Sequence, residues 1–151
     1  MASVCKIVVV GQTDAEEASL RWASDHGIEA ERSCLRASET SNGFVRNARS
    51  LARQLDWLLR NVAESDATLL LTLDLRLGPE QKKALKFLSA KKKPFLHLWS
   101  SLPQPGRLAL RFLEMHEVKI LNIVGSGRDN GEPVQSFVWS VLESVPIPKK
   151  V

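Results

Sequence analysis

The chain has no tyrosine, and its aromatic share of 6% is too small for the stacking platform that holds single-stranded nucleic acid. Cysteine is scarcer still. Cys5 and Cys34 are the only two and lack metal-ligand spacing, so both are expected to be reduced and buried, in a cytoplasmic protein. The three histidines, His26, His97 and His116, are scattered, without the i, i+4 pairing of a metal site on a helix. No apolar run approaches the roughly 20 residues of a membrane span, and MASVCKIVVV lacks the length and cleavage site of a signal peptide. A net charge of +4 favours encounters with anions but falls far short of a nucleic-acid signature.

What remains is an ordinary globular composition, 44% hydrophobic and 25% charged over 151 residues. That length suits a single domain, expected over 1–145, with PIPKKV at 146–151 as a flexible tail. KIVVV at 6–10 is a continuous β-branched run, the pattern of a strand covered on both faces. ATLLLTL at 67–73, PFLHLW at 94–99 and VKILNIV at 118–124 repeat it, and IEAERSCL at 28–35 alternates like a more exposed strand. Between them lie helical periods: Ala15, Ala18, Trp22 and His26; 47–63 with Leu51, Leu55, Leu58, Leu59 and Val62 on one stripe; then 79–91, 107–116 and 133–144. Pro79 and Pro133 suit first-turn positions, and His26-Gly27 is a helix stop. Strands alternating with helices predict an α/β fold with a central, mainly parallel sheet of about five strands and helices on both faces.

In such sheets ligands lie at the carboxyl ends of the strands, where turn N–H groups face an anion. Three turns qualify. Gly11, Gln12 and Thr13 follow the first strand, a segment ending at Gly78 follows the 67–73 strand, and Gly125, Ser126, Gly127 and Arg128 follow the last. Arg128, in a loop bracketed by glycines, is the best single candidate for an anion contact. The first turn also has a reading that needs no ligand: Thr13 and Glu16 form a capping-box pair. Asp14, Glu16 and Glu17 favour the helix dipole while placing negative charge where a phosphate would have to come.

VGQTDAEEASLRWASDHGI, NVAESDATLLLT, KKPFLHL and VKILNIVGSGRDNGEP, taken together, resemble the putative molybdenum carrier family, over roughly residues 5 to 144. The resemblance implies a three-layer Rossmann-like fold, a relation to lysine-decarboxylase-like nucleoside-phosphate hydrolases, and a crevice for molybdenum cofactor or a nucleotide-like ligand. Typical members read GGQTGVD at the first turn; here Gln12 and Thr13 match, while Val10 and Asp14 replace glycines. SCLRAS at 33–38 keeps only Cys34 and Arg36 of a tryptophan-cysteine-proline segment with its following glycine-arginine, and a glycine-glycine-threonine is reduced to Leu77-Gly78-Pro79. The departures fall at the ligand loops, and the hydrolases' glycine-rich motif with a nearby glutamate and arginine is missing. Catalysis of that type is not expected.

Arg46, Arg49, Arg53 and Arg60 project opposite the leucine stripe of their helix, and Trp57 falls among them. An aromatic flanked by Arg53 and Arg60 suits either a surface cation-π stack or a homodimer contact. Lys91, Lys92 and Lys93 complement a helix dipole, His97 reads as a satisfied core residue, and Asp74 with Arg76 as an exposed ion pair. The expected function is non-catalytic binding of a small anionic or nucleotide-like ligand. The alternative is a dimeric interaction module whose crevice no longer binds.

Overall fold

In the computed structural model the described residues are 3–11, 13–33, 48–126 and 129–148, without the side chains at 48–55 and 80. Strands and helices alternate as β1 (Lys6–Val9), α1 (Asp14–Asp25), β2 (Glu29–Arg32), α2 (Ala48–Glu64), β3 (Ala67–Thr72), α3 (Pro79–Ala90), β4 (Phe95–Trp99), α4 (Pro105–Met115), β5 (Ile120–Gly125) and α5 (Glu132–Leu142). All neighbouring strands pair in parallel, in the order β2-β1-β5-β3-β4. The five-stranded, three-layer Rossmann-like architecture is therefore the observed one.

Alternation along the strands separates two apolar layers. Ile7, Val9, Leu69, Leu71, Leu98, Leu121 and Ile123 belong to the larger core, which also receives Ala15, Ala18 and Trp22 from α1, Ala109 and Leu113 from α4, and Val134, Val138 and Val141 from α5. Leu70 and Val124 point the other way, into a smaller core completed by Val62 of α2 and Leu88 of α3. All six residues of β3 are buried. Burying its leucines contributes about 1.5–3 kcal/mol per side chain, which explains why continuous apolar runs mark the inner strands. β2 is largely exposed, and it pairs on one side only, at the sheet edge.

The helix ends follow local chemistry. Thr13 caps α1, accepting the Glu16 N–H on its hydroxyl at 3.2 Å. The far end closes through Gly27 at φ 67°, with the Ile28 N–H donating to the Ala23 carbonyl at 2.8 Å. α4 begins two residues before its expected start, because Pro105 fits a first turn and Gly106 lies against α5. A Cβ there would come within 2.4 Å of the Ser144 hydroxyl. Packing also continues beyond Val145: Ile147 lies against the larger core, and the Pro146 carbonyl accepts the Val4 N–H at 2.8 Å. One cysteine expectation fails. Cys5 is exposed, facing away from the core that its neighbour Val4 enters, and Cys34 lies outside the described residues.

Candidate functional site

The sheet creates its opening by the way the chain leaves it. β5 leads into α5 on the face of the larger core, whereas its neighbour β3 leads into α3 on the face of the smaller one. Helices departing to opposite sides leave a crevice between the two carboxyl ends. Register places Leu71 beside Gly125 and Thr72 beside Trp99 at that edge.

Two side chains tie the turns together there. Gln81, in the first turn of α3, accepts the Gly78 N–H on Oε1 at 3.1 Å, and its Nε2 donates to the Gly125 carbonyl at 3.2 Å. Glu16, only 4% exposed, accepts the Gly11 N–H at 2.7 Å on one carboxylate oxygen and the Gly125 N–H at 3.1 Å on the other. Of the expected ligand residues, Gly11, Thr13, Gly78, Gly125 and Ser126 thus meet at the carboxyl edge of β1, β5 and β3. Gln12, Gly127 and Arg128 lie outside the described residues.

The glycines have structural reasons. Gly11 has φ 93°, and a Cβ on it would meet Arg32 at 2.5 Å from Cγ. Gly78 faces the Gln81 amide, 2.9 Å from where a Cβ would stand. At Gly125 a Cβ would come within 2.6 Å of both the Ala15 Cβ and the Thr13 hydroxyl, so the first turn of α1 rests directly on the end of β5. The N–H groups of Gly11, Gly78 and Gly125 all point at acceptors within the chain. In each case a side chain of the protein already accepts the N–H.

The acidic first turn of α1 is committed to the fold in the same way. Asp14 accepts the N–H of Gly131, the cap residue just before α5, at 2.9 Å, and Glu17 pairs with Arg32 at the end of β2. One helical turn therefore connects β1, β2, β5 and α5. The sequence signalled this turn through its run of carboxylates; what it could not show was that Glu16 reaches beyond its own helix.

A second polar group lies at the ends of β3 and β4. The Thr72 hydroxyl sits 2.7 Å from His97 Nε2, and Asp129 accepts the Leu73 N–H at 2.7 Å. Burial pushes the His97 pKa down, opposed by the Asp129 charge. His97 is half-buried and satisfied through Thr72, beside the Trp99 ring at 5.2 Å. Asp74 uses a carboxylate oxygen to accept the Arg76 N–H at 3.2 Å, an Asx turn that shapes the loop. Lys93 donates to the Ser65 carbonyl at 3.0 Å.

On α2, Trp57 is half-buried and Arg60 exposed, while the Arg53 side chain lies outside the described residues. Among the described residues no three His, Cys, Asp or Glu side chains are grouped to hold a metal ion, and no helix is long and apolar enough to cross a membrane.

A crystal structure of a putative molybdenum carrier protein from Syntrophus aciditrophicus SB superposes with a TM-score of 0.72, at 23% identity over 95% of each chain. That likeness shows the same fold. No curated protein matches the chain. Residues 7–145 match the model of the circularly permutated YpsA SLOG family, and the chain belongs to that family.

Proposed function

We propose that the chain is a non-catalytic binding protein for a small nucleotide-like ligand, held at the carboxyl edge of β5 and β3. The observation that supports this reading is the convergence of three turns on one opening, joined by Gln81 and Glu16 where the helices diverge. Thr13, Gly78, Gly125 and Ser126 border the crevice, and Gln12, Gly127 and Arg128 remain ligand candidates from the sequence, with Arg128 as the cation for the ligand's anionic group. Molybdenum cofactor enters through the family resemblance and the name of the structural neighbour. Its phosphate does not fit the amides of Gly11 and Gly125, because the Glu16 carboxylate already accepts from both.

Thermal denaturation with molybdate, tungstate, AMP, NAD and ADP-ribose tests the reading. A ligand that binds the native state raises the melting temperature in a concentration-dependent way. Absence of any shift at millimolar concentration overturns it.

The occupied amides also favour a second reading, in which the crevice no longer binds and the protein works as a homodimeric module through Trp57, Arg53 and Arg60. Tryptophan and arginine are enriched at the centres of such contacts. Trp57→Ala then lowers the mass measured by light scattering, and an unchanged mass removes this reading.

A further inference from the structure

We propose that the amides of Gly11 and Gly125 form an oxyanion seat whose resident occupant is Glu16, so that the wild-type chain admits no external oxyanion there. Two N–H groups from adjacent strand ends converge on the two oxygens of one carboxylate, at 2.7 Å and 3.1 Å. A carboxylate, phosphate or molybdate presents oxygens suited to the same pair of donors. The carboxylate is delivered from the first turn of α1, where the helix dipole adds its own preference for negative charge.

The seat is also covered. The Arg32 side chain passes over Gly11 close enough to leave no room for a Cβ, and it is held there by Glu17. At Gly125 the cover is the Thr13 and Ala15 side chains. An entering anion would have to displace a carboxylate that is 4% exposed, against the charges of Asp14 and Glu17 in the same turn. For the binding function proposed above, on which this consequence rests, the ligand's charged group docks away from β1, toward the loop after β5. Glu16 is a specificity-determining residue in that sense: it excludes oxyanions from one end of the crevice.

The test is chemical rescue. Glu16→Ala deletes the equivalent of CH2–COO⁻, which acetate restores. Two buried N–H groups lose their acceptor, and the melting temperature is expected to fall by roughly 10 °C. Acetate should then recover much of that loss relative to chloride at equal ionic strength, while wild type shows no such response. Glu16→Gln fills the same volume but turns an NH2 group toward one of the two donors, so it is destabilised and gains nothing from acetate. Should Glu16→Ala fail to fold, recovery of the folded spectrum in acetate becomes the readout.

Rescue no greater in Glu16→Ala than in wild type overturns the proposal. So does movement of the Gly11 and Gly125 amide resonances of the wild-type protein in acetate, inorganic phosphate or molybdate. A nucleotide that stabilises wild type without moving those two resonances supports both readings; one that moves them removes this inference and leaves the binding function standing.

Discussion

His97 Nε2 lies 2.7 Å from the Thr72 hydroxyl oxygen, which in turn lies 2.6 Å from the carbonyl oxygen of Asp74. A hydroxyl has a single proton and a carbonyl can only accept. Thr72 therefore donates to Asp74, and His97 donates to Thr72, which fixes the imidazole proton on Nε2. Burial favours the neutral ring and pushes the pKa down from the ordinary 6.5, against the Asp129 charge. The unfolded chain then binds this proton at a higher pH than the folded one. Stability is lost as pH falls from about 6.5 through the lower folded value, and the loss levels off below it.

His97→Gln retains an N–H donor near Thr72 and has no titration in this range. Melting temperatures at about pH 7.5 and about pH 5.5 should differ less for the variant than for wild type. Equal differences for the two proteins would show that His97 does not contribute to acid sensitivity.

Gly125 and Gly78 differ in what surrounds them, and alanine distinguishes the two. A Cβ at Gly125 meets Thr13 and Ala15 in the capped start of α1, so Gly125→Ala must displace the helix, at a cost of about 1–3 kcal/mol. A Cβ at Gly78 meets only the Gln81 amide, whose displacement strains side-chain hydrogen bonds and no backbone, so Gly78→Ala should cost about 1 kcal/mol, less than Gly125→Ala. Urea midpoints measure both; the reverse ranking would show that Gln81, rather than α1, is the rigid element.

Asp66 accepts the N–H groups of Lys119 and Ile120 on one carboxylate oxygen, both at 2.9 Å, where β5 begins. Asp66→Ala removes this cap and should cost about 1–2 kcal/mol in chemical denaturation, reduced by solvent access at this exposed site. Asp66→Asn keeps a neutral acceptor and should fall between the two. An asparagine variant as weak as alanine would assign the effect to charge alone.

Asn122 is fully buried in β5, with its Nδ2 donating to the Thr68 hydroxyl at 3.2 Å and its Oδ1 without a partner among the described residues. A buried acceptor left unpaired costs about 1–3 kcal/mol, comparable to what the Thr68 contact returns. Asn122→Val should therefore match or exceed wild type in melting temperature. A clear decrease would point to an ordered water that completes the asparagine, a test that a high-resolution crystal structure would settle directly.

Particular residues show why some of this was legible in the sequence. ATLLLT and ILNIVG read as inner strands because both faces are covered, and the alternating segment after Ile28 reads as an edge because it pairs on one side. Thr13 announced its helix through capping chemistry contained within four residues. The order of strands was not legible, because insertion of β5 between β1 and β3 depends on partners far apart in the chain. Nor was the second bond of Glu16, to a residue 109 positions away, legible in the local pattern. The candidate turns were therefore identified, while the occupancy of their donors emerged only from the folded arrangement.

The last strand of the sheet is also its centre: β5 lies between β1 and β3, and among the described residues no other pairing joins the β2-β1 ribbon to the β3-β4 ribbon. During synthesis the first four strands can form two separate parallel pairs, each exposing an apolar edge until residues 120–125 emerge to seal them. The final segment works as a keystone, and a nascent chain arrested before it would expose sticky edges to chaperones and to its own copies.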